Sequence, residues 1–228
     1  MGGRSESLPY KLLAGSVALV LLAIGGYQIG DAALRAYAEA DMELQRAVTP
    51  QDVETVLSRA KLLELTDDWF GDPAARTTAG LYELRIAYGS DADPRLDPAR
   101  LQQAIDDLSD GLRRAPANPL AWASLGHARL AAGDTRGAAA ALNASLLLGP
   151  YEAGLTLYRC ELGLKLWPDL DVGTRRIVAA QVRLAWDRDP WALVALAKHS
   201  GRVLPVMIAL AQDPKRASAF TKALAERP

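Results

Sequence analysis

Between Leu12 and Gly30 the chain carries no charged residue, and beyond that stretch no segment sustains the apolar–polar alternation of a half-exposed strand. The rest of the chain is punctuated by helix starts. Thr49-Pro50, Asp72-Pro73, Asp97-Pro98, Asn118-Pro119, Asp189-Pro190 and Asp213-Pro214 each set a capping side chain just before a proline. The cap oxygen takes up a backbone N–H that the first helical turn leaves unpaired, and proline at the first helical position loses nothing by lacking one. Thr49 also has Asp52 three residues on, an imperfect capping box. The pattern predicts helices over about 50–64, 73–89, 98–115, 119–132, 135–148, 152–166, 173–188, 190–199, 203–212 and 214–226. The fold class expected is all-α, with short linkers that suit helix–helix hairpins and one longer connection, Ser90 to Leu96, rich in Asp and Pro.

The apolar run at 12–30 is long enough as a helix to span roughly 28 Å, close to the hydrocarbon thickness of a bilayer. It exceeds a usual signal-peptide core, and no small-x-small cleavage site comes at the right distance after it, which favours an uncleaved transmembrane anchor. Arg4 and Lys11 precede the span, whereas Asp31, Glu39, Asp41 and Glu43 crowd its far end around Arg35 and Arg46. On the positive-inside rule, residues 1–11 are cytoplasmic and everything after Gly30 lies across the membrane, in the periplasm of a bacterium with this protein in its inner membrane. The start, Met1 to Glu6, misses the myristoylation pattern because its sixth residue is Glu6. Gly26 and Gly30 form a GxxxG pair, which permits close approach of another membrane helix. Residues 31–72 read as a helical stalk, with the anchor continuing to near Ala47, or as an N-terminal cap on the domain after it.

Within that domain Pro116 and Pro150 lie about 34 residues apart. Between them come Trp122, Leu125, Gly126, Ala138 and Leu142, with Gly133-Asp134 supplying a break and a fresh N-cap. This stretch resembles one tetratricopeptide repeat, a helix–turn–helix unit of that period, departing at Arg129, where an aromatic is usual, and at Ser145, where alanine is usual. Ala104, Leu108, Gly111 and Pro116 occupy the second-helix positions of a preceding repeat, and Leu81, Leu84 and Tyr88 match its first helix. Val178, Val182, Ala185 and Pro190 resemble another second helix, although Pro190 falls later after Pro150 than one period would place it. The resemblance implies a right-handed solenoid of helical hairpins: two repeats over 73–150, then a degenerate repeat and a C-terminal helical cap over 151–228. A lone repeat cannot bury both of its faces, so flanking helices are physically required.

Composition narrows the function. Half of the residues are hydrophobic and 6% are aromatic, which suits packed helices better than a sandwich. A net charge of -1 gives no basic field to attract nucleic acid. Cys160, the one cysteine, excludes an intramolecular disulfide and a cysteine zinc site, and reads as a small buried hydrophobe. His127 and His199 stand far apart in the chain, neither with a second histidine or a carboxylate at metal-binding spacing. Asp91, Asp93 and Asp97 lack the EF-hand glycine and terminal glutamate and read as solvated loop. Trp167, Trp186 and Trp191 read as core anchors between irregular helices, with a partner surface as the alternative. No catalytic constellation emerges, so no enzyme activity, cofactor, metal or small-molecule substrate is expected.

The resemblance implies instead a concave groove that holds a segment of a partner protein. Leu120, Ala123, His127 and Leu130 would line it from one repeat, Tyr82 and Ile86 from the one before, and Tyr158, Glu161 and Lys165 from the next helix. His127 reads more simply as an ordinary exposed helix histidine. Ala123 and Ser124 stand where a carboxylate clamp for C-terminal tails would need charged or amide residues, so that ligand class is not expected. The function expected is a membrane-anchored, non-enzymatic scaffold for partner proteins of the bacterial envelope, with polysaccharide polymerisation or export as the setting suggested by likeness to other anchored repeat proteins. The alternatives are an accessory structural subunit held in a membrane enzyme complex through the transmembrane helix, and a cytochrome c maturation or translocon-associated factor.

Overall fold

The computed structural model describes residues 8–39, 52–89 and 95–226. Among these residues there are eleven α-helices and no strand: α1 (Leu8–Glu39), α2 (Val53–Phe70), α3 (Pro73–Ala87), α4 (Pro98–Arg114), α5 (Pro119–Ala131), α6 (Thr135–Leu148), α7 (Thr156–Lys165), α8 (Val172–Arg188), α9 (Pro190–Ser200), α10 (Val203–Leu210) and α11 (Pro214–Glu226). One-turn 3-10 helices at Ala153–Leu155 and Trp167–Asp169 flank α7. The Thr49-Pro50 start, Arg4, the continuation from 40 to 47, and Asp91 and Asp93 lie outside the described residues.

The caps work as the dipeptides predict. Asp72, Asp97, Asn118, Asp189 and Asp213 each accept a backbone N–H from the first turn of the following helix, at 2.9–3.2 Å. Gly71, Gly133 and Gly201 end α2, α5 and α9 with positive φ of 66°, 85° and 65°, a conformation that side chains with a Cβ resist.

Helices pair as consecutive hairpins, α3 with α4, α5 with α6 and α7 with α8, and each first helix also touches the first helix of the next hairpin. α2 closes one end by packing on α3, and α9–α11 close the other against α7 and α8. The apolar core runs along the stack. Val56, Ala60 and Leu63 meet Ala75, Ala79 and Tyr82; Leu84 and Ala87 meet Leu108, Leu112 and Leu125; Leu142 and Leu146 meet Leu162 and Val178; Cys160 and Leu164 meet Leu193, Val206 and Phe220. Trp186 and Trp167 pack at the margins of these groups, Trp186 edge-on to Phe220, while Trp191 is half-exposed. Burial pushes the Cys160 thiol up to about 12, so it stays protonated and behaves as a hydrophobe.

α2 runs six residues past the end its sequence predicts, to Phe70. The reason is long-range. Asp67, buried on α2, receives both Nη atoms of Arg114 at 2.5–2.7 Å and Nε of Arg76 at 3.0 Å, and Arg76 also reaches Asp107 at 3.3 Å. One network thus ties α2 to α3 and α4. Burial opposes the charge on Asp67, but the hydrogen bonds from Arg114 and Arg76 outweigh it and hold the carboxyl below its ordinary 3.8. A lowered carboxyl pKa stabilises the fold above the unfolded value and loses that contribution as pH falls through the folded value. Asp107 is pushed the other way by burial, and its share has the opposite sign. Asp67→Asn therefore lowers the urea-unfolding free energy by about 2–3 kcal/mol at pH 7, and the gap to wild type narrows once pH drops below about 4.

α1 carries the apolar stretch. Gly15–Leu34, with mean hydropathy 1.7, is long and apolar enough to cross a membrane. Its far end packs on α2.

Candidate functional site

The first helices of the three hairpins border a groove of about 1130 Å³. Leu81, Leu84, Arg85 and Tyr88 come from the last turns of α3, and Asn118, Pro119, Leu120 and Ser124 from the first turns of α5. Glu152, Gly154 and Leu155, on the approach to α7, and Tyr158 on α7 close it. The walls are leucine and tyrosine, with Arg85 and Glu152 as a charge of each sign and Asn118 occupied in capping α5.

Two tyrosines set the polar character. Burial pushes the Tyr158 phenol above its usual value, against a hydrogen bond with the Ser124 hydroxyl that lowers it. Desolvation raises Tyr88 as well, with Tyr158 and Glu161 adding to it. Both phenols stay neutral and keep a donor at physiological pH. Tyr158 is fixed from behind by His127, whose ring stacks on it at 4.0 Å between centroids and 20° between planes. His127 Nε2 lies 3.0 Å from the Tyr158 carbonyl, an acceptor only, so Nε2 carries the proton and donates. Burial lowers the His127 pKa, and the hydrogen bond to Tyr158 offsets it in part, so the ring is a neutral pin between α5 and α7.

The sequence-predicted groove residues divide. Leu120 and Tyr158 line the groove. Glu161 and Lys165 continue from Tyr158 along α7 as an ion pair at 2.6 Å. His127 is buried at 8% exposure beneath Tyr158, and Ala123 is fully enclosed. Leu130 packs among Ala138, Leu142 and Leu162. Tyr82 and Ile86, expected on the groove, lie in the seam with Val56, Ala60 and Leu63 of α2. α2 folds back over that side of α3, so the groove falls to the neighbouring residues Leu81, Arg85 and Tyr88. Of the glycine pair on α1, a Cβ on Gly26 would meet nothing within 4 Å, whereas one on Gly30 would press on the Phe70 ring at 3.2 Å.

No family model matches the chain, and no curated protein does either. The reading of the site rests on its own geometry. Among the described residues no group of three His, Cys, Asp or Glu side chains could hold a metal ion. The groove offers apolar walls, two neutral phenols and two opposite charges.

Proposed function

We propose that the chain is a non-enzymatic membrane scaffold whose helical hairpins form a tetratricopeptide-like solenoid, and that it holds a segment of a partner protein in the groove across α3, α5 and α7. The observation that carries this reading is that groove, because it crosses the first helices of three successive hairpins, the face on which repeats of this kind receive peptides. Supporting it, the residues of the resemblance do packing work: Leu125, Ala138 and Leu142 are buried, and Gly126 admits Leu162 so closely that a Cβ there would lie 2.6 Å from its Cδ2. In this reading α1 anchors the scaffold with residues 1–11 in the cytoplasm and the helical domain across the bacterial inner membrane, where it raises the effective concentration of its partner. The proposed setting is polysaccharide polymerisation or export.

Gly26 favours a second reading, in which its bare face on α1 packs against another membrane helix and the domain is a structural subunit of a membrane complex. One experiment separates the two: crosslinked recovery of partners from native membranes with the full chain and its variants. Tyr88 and Leu120 lie outside the packed core groups, so Tyr88→Ala with Leu120→Ala leaves the fold intact. Under the groove reading this pair cuts recovery roughly tenfold or more, as for paired hot-spot residues, and Gly26→Leu leaves recovery unchanged. The reverse pattern places binding on the anchor and removes the groove from the account.

A further inference from the structure

The last turn of α2 is held against the apolar span of α1. Tyr27 and Phe70 meet edge to face with ring centroids 4.8 Å apart, the Tyr27 hydroxyl donates to the Phe70 carbonyl, and Gly30 leaves the room that the Phe70 ring fills. Tyr27 and Gly30 both lie in the last turn of the charge-free run, which ends at Gly30 and is followed at once by Asp31, the first charged residue beyond the span. A helix that crosses a bilayer with this stretch therefore carries the tip of α2 to the level where hydrocarbon gives way to headgroups.

The side chains on the outer face of that tip suit such a place. Trp69 is 67% exposed and Leu65, one turn earlier on the same face, is 44% exposed. Trp is the residue that settles at the membrane–water boundary, where an apolar ring and a polar N–H are both accommodated. One turn further from the tip the face changes to the exposed Lys61, a cation about 12 Å along the helix from Trp69. The order apolar ring, leucine, ammonium follows the order of acyl boundary, glycerol region and phosphate. Asp68, the acidic neighbour of Trp69, is ion-paired with Arg76 at 2.5 Å.

We propose that the Leu65–Trp69 face of α2 rests in the interfacial layer of the phospholipid bilayer that α1 crosses, so that the helical domain is seated on the membrane through the α2–α3 turn instead of swinging from a tether. This rests on the reading of α1 as a membrane anchor. The full chain is incorporated into phosphatidylcholine–phosphatidylglycerol vesicles with plain or dibrominated acyl chains, and Trp emission is compared with that of Trp69→Phe. Flotation of the same vesicles at alkaline pH reports on the anchor separately. Expected is flotation of both proteins, with brominated lipid removing up to about one fifth of wild-type emission, the share of one tryptophan in five, and this loss absent in Trp69→Phe. Flotation with the same quenching in both proteins overturns the seating while leaving the anchor, and assigns the exposed face to a protein partner. Failure of either protein to float with the vesicles removes the anchor, and the seating with it.

Discussion

Arg159→Met unfolds at a clearly lower urea concentration than the wild type, with a loss of about 3 kcal/mol. Arg159 on α7 is fully enclosed, and its guanidinium closes the C-terminal end of α6. Nε donates to the Ser145 hydroxyl at 2.9 Å, Nη2 to the Ser145 carbonyl at 2.8 Å and Nη1 to the Gly149 carbonyl at 2.6 Å. The last carbonyls of a helix lack intrahelical partners and carry the negative end of its dipole, so a forked cation there is favourable twice over. Methionine fills a similar volume and donates nothing. The two carbonyls then keep only amide contacts at 3.3 Å, from Gly149 and Glu152. The loss stays below the upper range for a broken buried charge because desolvation already lowers the guanidinium pKa, and removing the charge recovers that cost. Ser145→Ala alone costs about 1 kcal/mol, and the double variant falls short of the sum because both changes remove the same bond.

Ser145 and Arg159 also mark the boundary of what is legible in the chain. Helix starts are legible because each is signalled within four residues, by a cap and a proline whose effect is local. The five described starts of that kind form, and α6 runs from Thr135 to Leu148 as expected. Ser145 stands out only as a departure from alanine; its partner comes 14 residues later in another helix and carries no local signal. Arg129, the other departure, spans to the Gly137 carbonyl and to Ser109 with its guanidinium, occupying the space between three helices that an aromatic would fill by packing. The groove is legible as a place but not in its register. On α3 the expectation falls on Tyr82 and Ile86, one residue from Leu81 and Arg85, because nothing within α3 says that α2 covers one side. The extension of α2 to Phe70 is hidden for the same reason, since Asp67 is stabilised by arginines 9 and 47 residues away.

Gly111→Val separates α3 from α4 and lowers stability by about 2–3 kcal/mol in the same urea assay. A Cβ built on Gly111 lies 2.8 Å from the Pro73 carbonyl and 2.9 Å from the Thr77 amide, both backbone atoms that no rotamer change can move aside. Gly80 makes the reciprocal approach from α3, with the Leu108 amide at 2.9 Å. The two glycines let these helices sit closer than side chains allow, and that closeness brings Arg76 and Arg114 together on Asp67. Helix propensity works against the glycine: Gly111→Ala gains up to about 1 kcal/mol on that account, so its net loss is smaller than that of valine. If close packing is the cause, Gly80→Ala with Gly111→Ala costs less than the sum, because one outward shift of α3 relieves both contacts. Gly154→Ala, where a Cβ meets nothing within 4 Å, leaves stability unchanged and serves as the control. The shift also has a functional reading. Leu81 and Tyr88 ride on α3, so pushing α3 off α4 displaces one wall of the groove relative to Leu120 and Tyr158, and partner recovery falls with stability in Gly111→Val.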